Sequence, residues 1–224
     1  MGQAIGDVLP LAIGVAISPV PIIAIILMLG TPRARSTGPA FTAGWLAGLT
    51  IAGGIALVLA SGSAAADSGE PADWVGVLKL ALGLLFLLLA VKQWRSRPSP
   101  GQEAAMPKWM QAIDTFTPRR SFAIAAALSA VNPKNLLLTV GAAAAIAQTG
   151  ASTGTQAVAL AVFVLVGTLG PGIPVAIYFA MGDRAARPLD ELQTWMGEHN
   201  AAIMATICLV IGAKLIGDGI TGLT

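Results

Sequence analysis

Charge is what this sequence has least of. Of its 224 residues, 11% are Asp, Glu, Lys or Arg and 55% are hydrophobic. A soluble domain carries roughly 25% charged residues, so this chain cannot cover a water-facing surface. Cysteine is nearly absent: Cys208 stands alone, which excludes an intrachain disulfide. One His and one Cys supply too few ligands for a His/Cys metal centre, and neither a metal nor a cofactor is expected. No basic face or aromatic-interleaved basic patch is present, so nucleic acid is not an expected partner. There is no HExxH and no pair of intramembrane carboxylates, which points away from an enzyme. There is also no GxxxxGK[ST], so any active transport draws on a gradient or on a separate ATPase. Residues 1–7 lack a basic n-region, and the apolar stretch that follows is too long for a signal peptide. It reads as a retained membrane helix.

Long hydrophobic runs are what the sequence has most of, and the mean hydropathy is +0.78. A helix needs about 20 apolar residues to cross a bilayer core. Six stretches qualify: 8–30, 40–61, 74–94, 122–148, 156–181 and 201–220. The expected fold is an all-α integral membrane protein of six transmembrane helices.

The loops orient it. Arg33 and Arg35 lie between the first two stretches, Arg95, Arg97, Lys108, Arg119 and Arg120 between the third and fourth, and Arg184 and Arg187 between the fifth and sixth. The second-to-third loop holds Asp67, Glu70 and Asp73 without a Lys or Arg, and the fourth-to-fifth loop holds no charge. The positive-inside rule places the basic loops in the cytoplasm and both termini outside. After the breaker-rich segment 97–101, Trp109, Met110, Ile113 and Phe116 recur at helical spacing, as do Leu189, Leu192, Trp195 and Met196 after Pro188. Both read as short helices on the cytoplasmic interface. For the second, the alternative is an inward extension of the sixth span.

A faint repeat divides the chain. Ala16-Ile17-Ser18-Pro19-Val20-Pro21 resembles Ala127-Leu128-Ser129-Ala130-Val131-Asn132-Pro133, and the stretch from Gly48 to Gly54 loosely echoes that from Gly167 to Gly172. Each half holds three spans, an odd number, so duplication reverses its direction. The expectation is two inverted-topology repeats, 1–94 and 122–224, joined by a cytoplasmic linker over 95–121.

Proline inside a helix removes a backbone donor and clashes with the preceding turn. Ser18-Pro19-Val20-Pro21 and Asn132-Pro133-Lys134-Asn135 fall near the middle of the first and fourth spans. Each also carries a helix-start signature, Ser or Asn at the N-cap and Pro at the first helical position. Both spans are therefore expected to break at the midplane and restart with free N–H groups, which favours an anion there. Lys134 lies about 13 residues from either end of its span, at a depth costing roughly 2.5–3.5 kcal/mol on insertion scales. The expected substrate site is Lys134, Asn132, Asn135, Ser18, Pro19, Pro21 and Pro133, taking an anionic group. The alternative for Lys134 is a structural bond to carbonyls freed at a break. Lys214 with Asp218 four residues later, and Lys79, are candidates for a gate or coupling element. The alternatives there are a structural i, i+4 pair and simple snorkelling. Gly170, Pro171, Gly172 and Pro174 form a hinge or a close-packing site. Gly44, Gly48, Gly53 and Gly54 are expected to permit close helix contact, and Asp7 reads as a membrane-edge residue.

With these motifs the sequence resembles the lysine-exporter superfamily, which is similar in having a Pro-containing motif in the first helix and Asn-Pro-Lys in the fourth. Ser18-Pro19-Val20-Pro21 lacks the Pro-Gly-Pro form of the amino-acid exporters. The whole pattern more closely resembles the glycolipid-addressing branch, the sulfolipid- and glycopeptidolipid-addressing proteins, through Gly6-Asp7-Val8-Leu9-Pro10, Ala16-Ile17-Ser18-Pro19, Ala43-Gly44-Trp45 and Asn132-Pro133-Lys134-Asn135. The resemblance implies a bacterial inner-membrane protein that moves envelope glycolipids or parts of them, with membrane lipids, an amphiphilic anionic substrate, envelope lipid-export machinery and a second copy of the chain as partners. Three functions stand open: a transporter that exports or flips an anionic amphiphile, an exporter of small solutes such as amino acids, and a non-transporting scaffold of a lipid-export complex.

Overall fold

The computed structural model describes residues 1–66, 73–97 and 108–221. All regular structure among them is helical: α1 (Gly2–Ala16), α2 (Pro19–Leu29), α3 (Ala34–Ala66), α4 (Asp73–Arg95), α5 (Pro118–Ala130), α6 (Pro133–Gln148), α7 (Thr153–Met181) and α8 (Ala186–Thr221). Two 3₁₀ segments, Lys108–Thr115 and Gly182–Ala185, precede α5 and α8. The acidic loop residues Asp67 and Glu70, and the breaker-rich positions 98–101, lie outside the described residues.

The two expected breaks are present. The first apolar stretch is α1 and α2, bent by 52°, and the fourth is α5 and α6, bent by 60°. Pro19 and Pro133 start the second member of each pair, where a missing N–H does no harm. Three stretches are long and apolar enough to cross a membrane, Ala34–Gly62, Gly76–Arg95 and Thr153–Thr221, or five if each bent pair is one span. The last of these has 69 residues, about 100 Å of helix at 1.5 Å per residue against a hydrocarbon core of about 30 Å. It contains both α7 and α8, parted where α7 ends at Gly182 with φ +56°.

Composition dictates who is central. In α2 only Val20 and Leu27 are not buried, as befits a helix that is apolar on every side. In α6 the small-residue run from Gly141 to Ala147 is buried throughout. Around them, α3 packs on α5 and α6, α7 on α1 and α2, and α4 on α8. Close approach is set by glycine. A Cβ on Gly44 would stand 2.2 Å from the Phe122 carbonyl oxygen, and one on Gly48 2.0 Å from Ser129 Oγ. Gly53 meets Leu160 at 2.7 Å, whereas Gly54 faces open space, so the close-contact reading fails at that position.

The elements expected at the cytoplasmic interface depart from expectation in one place. Residues 189–196 form no separate interfacial helix. They are part of α8, which runs unbroken from Ala186, with Leu189 and Met196 buried. No breaker follows Pro188 to end the helix, so their amphipathic pattern continues into the apolar run. Before α5, Ile113 and Phe116 are buried where the first 3₁₀ segment packs against α2. The side chains of Trp109 and Met110 lie outside the described residues.

Candidate functional site

Each break leaves carbonyls that an intact helix would have satisfied, and side chains answer for them. In α1 the amide of Ser18 turns back to the Ala16 carbonyl, 2.9 Å away, so the Gly14 carbonyl loses its helical partner. Pro19 has no N–H for the Val15 carbonyl. Ser18 Oγ donates to Val15 O at 2.7 Å. Lys134 Nζ donates to Gly14 O at 2.7 Å and to Ser18 Oγ at 2.5 Å. At the second break the Leu128 carbonyl is orphaned, and Asn135 Nδ2 donates to it at 3.1 Å. Asn132 Oδ1 caps α6 by accepting from the Lys134 amide at 3.0 Å.

Lys134 thus joins the breaks. It starts α6, yet its ammonium sits at the C-terminal end of α1, the end of a helix dipole that favours a cation. Only 6% of the residue is exposed. Two of its three ammonium protons are committed to Gly14 and Ser18. The restarts offer fewer free backbone donors than the sequence suggests. Pro19 and Pro21 carry no N–H and the Lys134 amide is capped. The amides of Val20 and Asn135 remain without a backbone partner across the break.

The breaks line a cavity of about 290 Å³. Ser18, Pro19, Val20 and Pro21 line it from the first break, and Asn132, Pro133 and Lys134 from the second. The facing wall is Leu89 and Gln93 of α4 with Asn200, Met204 and Cys208 of α8. Asn135 is not on this lining; its amide is turned back to the α5 carbonyl. Gln93, Asn200 and Cys208 were not read as site residues from the sequence. Asn200, Met204 and Cys208 recur every four residues, a one-face signal hidden by the low charge of the surrounding run.

The other expected residues lie elsewhere. Lys79 is buried and bonds Gln148 Oε1, with Asp218 and Asp7 the acidic groups whose charge reaches it. Lys214 pairs with Asp218 at 2.5 Å, the side chains 27% and 34% exposed. None of these lines the cavity. In α7, Pro171 orphans the Gly167 carbonyl, which accepts from Trp45 Nε1 of α3 at 3.1 Å. A Cβ on Gly170 would stand 2.2 Å from the Ala16 carbonyl oxygen, so α7 presses directly against the first break. Gly172 has only Thr42 at 4.0 Å, and α7 runs on through Pro171 and Pro174.

Comparison with known proteins adds one finding. No curated protein and no solved structure matches the chain. Residues 8–221 match the family of Sap, the sulfolipid-1-addressing protein. That match spans both breaks, the cavity and its facing wall, so this apolar multi-helix chain belongs to the sulfolipid-1-addressing protein family.

Proposed function

We propose that the chain is an inner-membrane transporter that exports or flips an envelope glycolipid, or its precursor, through an anionic group bound at the two breaks. The observation that carries this is the cavity in which a buried lysine and both helix restarts meet. An unpartnered cation in an apolar setting is costly. Here Lys134 spends two protons on Gly14 and Ser18 and keeps one for a ligand. The Val20 amide shares the cavity with it, at the positive end of α2. A carboxylate, phosphate or sulfate suits that set; a cation does not.

The architecture behind this reading is six crossings in two inverted repeats. Thr153–Thr221, too long for one crossing, counts as two. Helix packing supports the repeat. Exchanging the halves turns the α3–α5 contact into α7–α1, α2–α3 into α6–α7 and α2–α8 into α6–α4, and all of these pairs touch. Gln93, two residues before Arg95, supports a cavity that opens toward the basic side, the one expected to be cytoplasmic. This is an inward-facing arrangement. The Lys79–Gln148 and Lys214–Asp218 pairs form the outer closure, and the proline-rich part of α7 flexes against the first break when access changes.

One observation favours the scaffold reading: the Lys134–Gly14 bond is what a purely structural lysine would make. The experiment that separates the two is flipping in proteoliposomes. A fluorescent sulfated galactosylceramide is followed by dithionite quenching, with fluorescent phosphatidylcholine as control. We expect Lys134→Met to abolish flipping of the sulfated lipid at normal expression and fold, and Lys134→Arg to restore part of it. Flipping that survives Lys134→Met makes the lysine structural.

A further inference from the structure

The wall opposite Lys134 is polar in one place only. Gln93 of α4 and Asn200 of α8 are its two amides, set among Leu89, Met204 and Cys208. Their heights on the two helices agree. Glycines fix the antiparallel register of α4 and α8: a Cβ on Gly83 would stand 2.9 Å from the Gly212 carbonyl oxygen, and one on Gly219 3.0 Å from that of Gly76. Gln93 lies ten residues beyond Gly83, and Asn200 twelve residues before Gly212. In an antiparallel pair that is an offset of two residues, about 3 Å along the axis. Both side chains thus flank one seam at one level, and both face the cavity.

Among the described residues no hydrogen bond uses either side-chain amide. Asn200 Oδ1 is buried without a hydrogen-bond partner, the one such side-chain atom among the described residues. Buried polar groups are normally bonded, and each exception calls for a reason. An amide offers donor and acceptor together and carries no charge. It suits a hydroxyl or an N–H group and gives nothing special to an anion.

We infer that Gln93 and Asn200 form a second, neutral subsite that takes hydroxyl or N–H donors on the molecule whose anionic group meets Lys134. This rests on the anion-site reading above and sharpens it. The headgroup must carry hydrogen-bond donors beside its charge. A plain alkyl carboxylate or phosphate leaves Asn200 unpaired.

The test uses two phosphate monoesters of equal chain length, glycerol 3-phosphate and n-propyl phosphate, titrated calorimetrically into the full chain in nanodiscs. The wild type is expected to bind glycerol 3-phosphate about tenfold more tightly, the effect of one or two buried hydrogen bonds. Asn200→Leu and Gln93→Leu should each bring that ratio toward one while leaving n-propyl phosphate unchanged. No preference in the wild type, no binding of glycerol 3-phosphate, or a preference that survives both substitutions overturns the subsite. If Lys134→Met instead binds n-propyl phosphate as well as the wild type does, the anion site itself has failed. Thermal unfolding gives a ligand-free check. Asn200→Leu should unfold no earlier than the wild type, because it removes an unpaired acceptor. A clear fall in its unfolding temperature assigns the amide a structural role and overturns the inference.

Discussion

Replacing Ser18 with alanine tests the account of the first break at its hinge of hydrogen bonds. The hydroxyl does two things: it donates to the Val15 carbonyl at 2.7 Å and accepts from the Lys134 ammonium at 2.5 Å. Pro19 is the reason Val15 needs it. Without the hydroxyl a buried acceptor is left unpaired, which costs about 1–3 kcal/mol. The ammonium also loses a charge-assisted bond, worth about 1.5–3 kcal/mol. The two losses share one cavity and one lysine, and water in the cavity recovers part of them. The expected destabilisation is about 2–4 kcal/mol, below the sum because neighbouring effects are not additive. The assay is reversible unfolding in nanodiscs or mixed micelles. A second substitution makes the reasoning specific. Pro19→Ala restores an N–H that can reach the Val15 carbonyl once the helix straightens. Ser18→Ala with Pro19→Ala should therefore regain part of the lost stability while losing the bend, the cavity and transport. If Ser18→Ala unfolds within about 0.5 kcal/mol of the wild type, the ordinary range for a neutral surface change, or if Pro19→Ala recovers nothing, the orphan-carbonyl account is wrong.

Three further outcomes are expected. Gly170→Ala drives a Cβ to 2.2 Å from the Ala16 carbonyl oxygen and should destabilise by about 1–3 kcal/mol, while Gly54→Ala, with nothing within 4 Å, should be neutral in the same unfolding assay. Trp45→Phe strips the Gly167 carbonyl of its donor and should cost about 1–3 kcal/mol; Pro171→Ala, which supplies an N–H in place, should reduce that cost, and an unchanged cost would refute the pairing. In a Cys208→Ser background, a cysteine at Ser63 should react with an impermeant thiol reagent in intact cells and one at Ser99 should not. Equal labelling overturns the orientation read from the loop cations.

Some of this was legible in the sequence because the causes are local. Proline lacks an N–H wherever it sits, so Pro19 and Pro133 announced both breaks. Low charge and long apolar runs announced a membrane chain, and Lys134 stood out because a cation at that depth is costly. The whole-chain resemblance agrees with the family match over residues 8–221. The close packing of Gly44 and Gly48 was also in reach, since small residues at helical spacing mark contact faces.

The rest depended on what each group meets across the fold. Position in the chain gave Lys134 its depth, and only the packing of α1 against α6 gave it the Gly14 carbonyl and Ser18 as partners. Asn135 looked equivalent to Asn132, yet its amide turned away from the cavity, because the Leu128 carbonyl seven residues before it, across the break, had no donor. The N–H groups expected at α2 were reduced by the same prolines that made the break. Gln93 and Asn200 gave no signal as single residues near span ends. They became a site when the Gly83–Gly212 and Gly76–Gly219 contacts set the register of α4 and α8. Sequence fixes which bonds a residue can make, and the orphaned groups that neighbouring helices bring within hydrogen-bond reach decide which of them it does make.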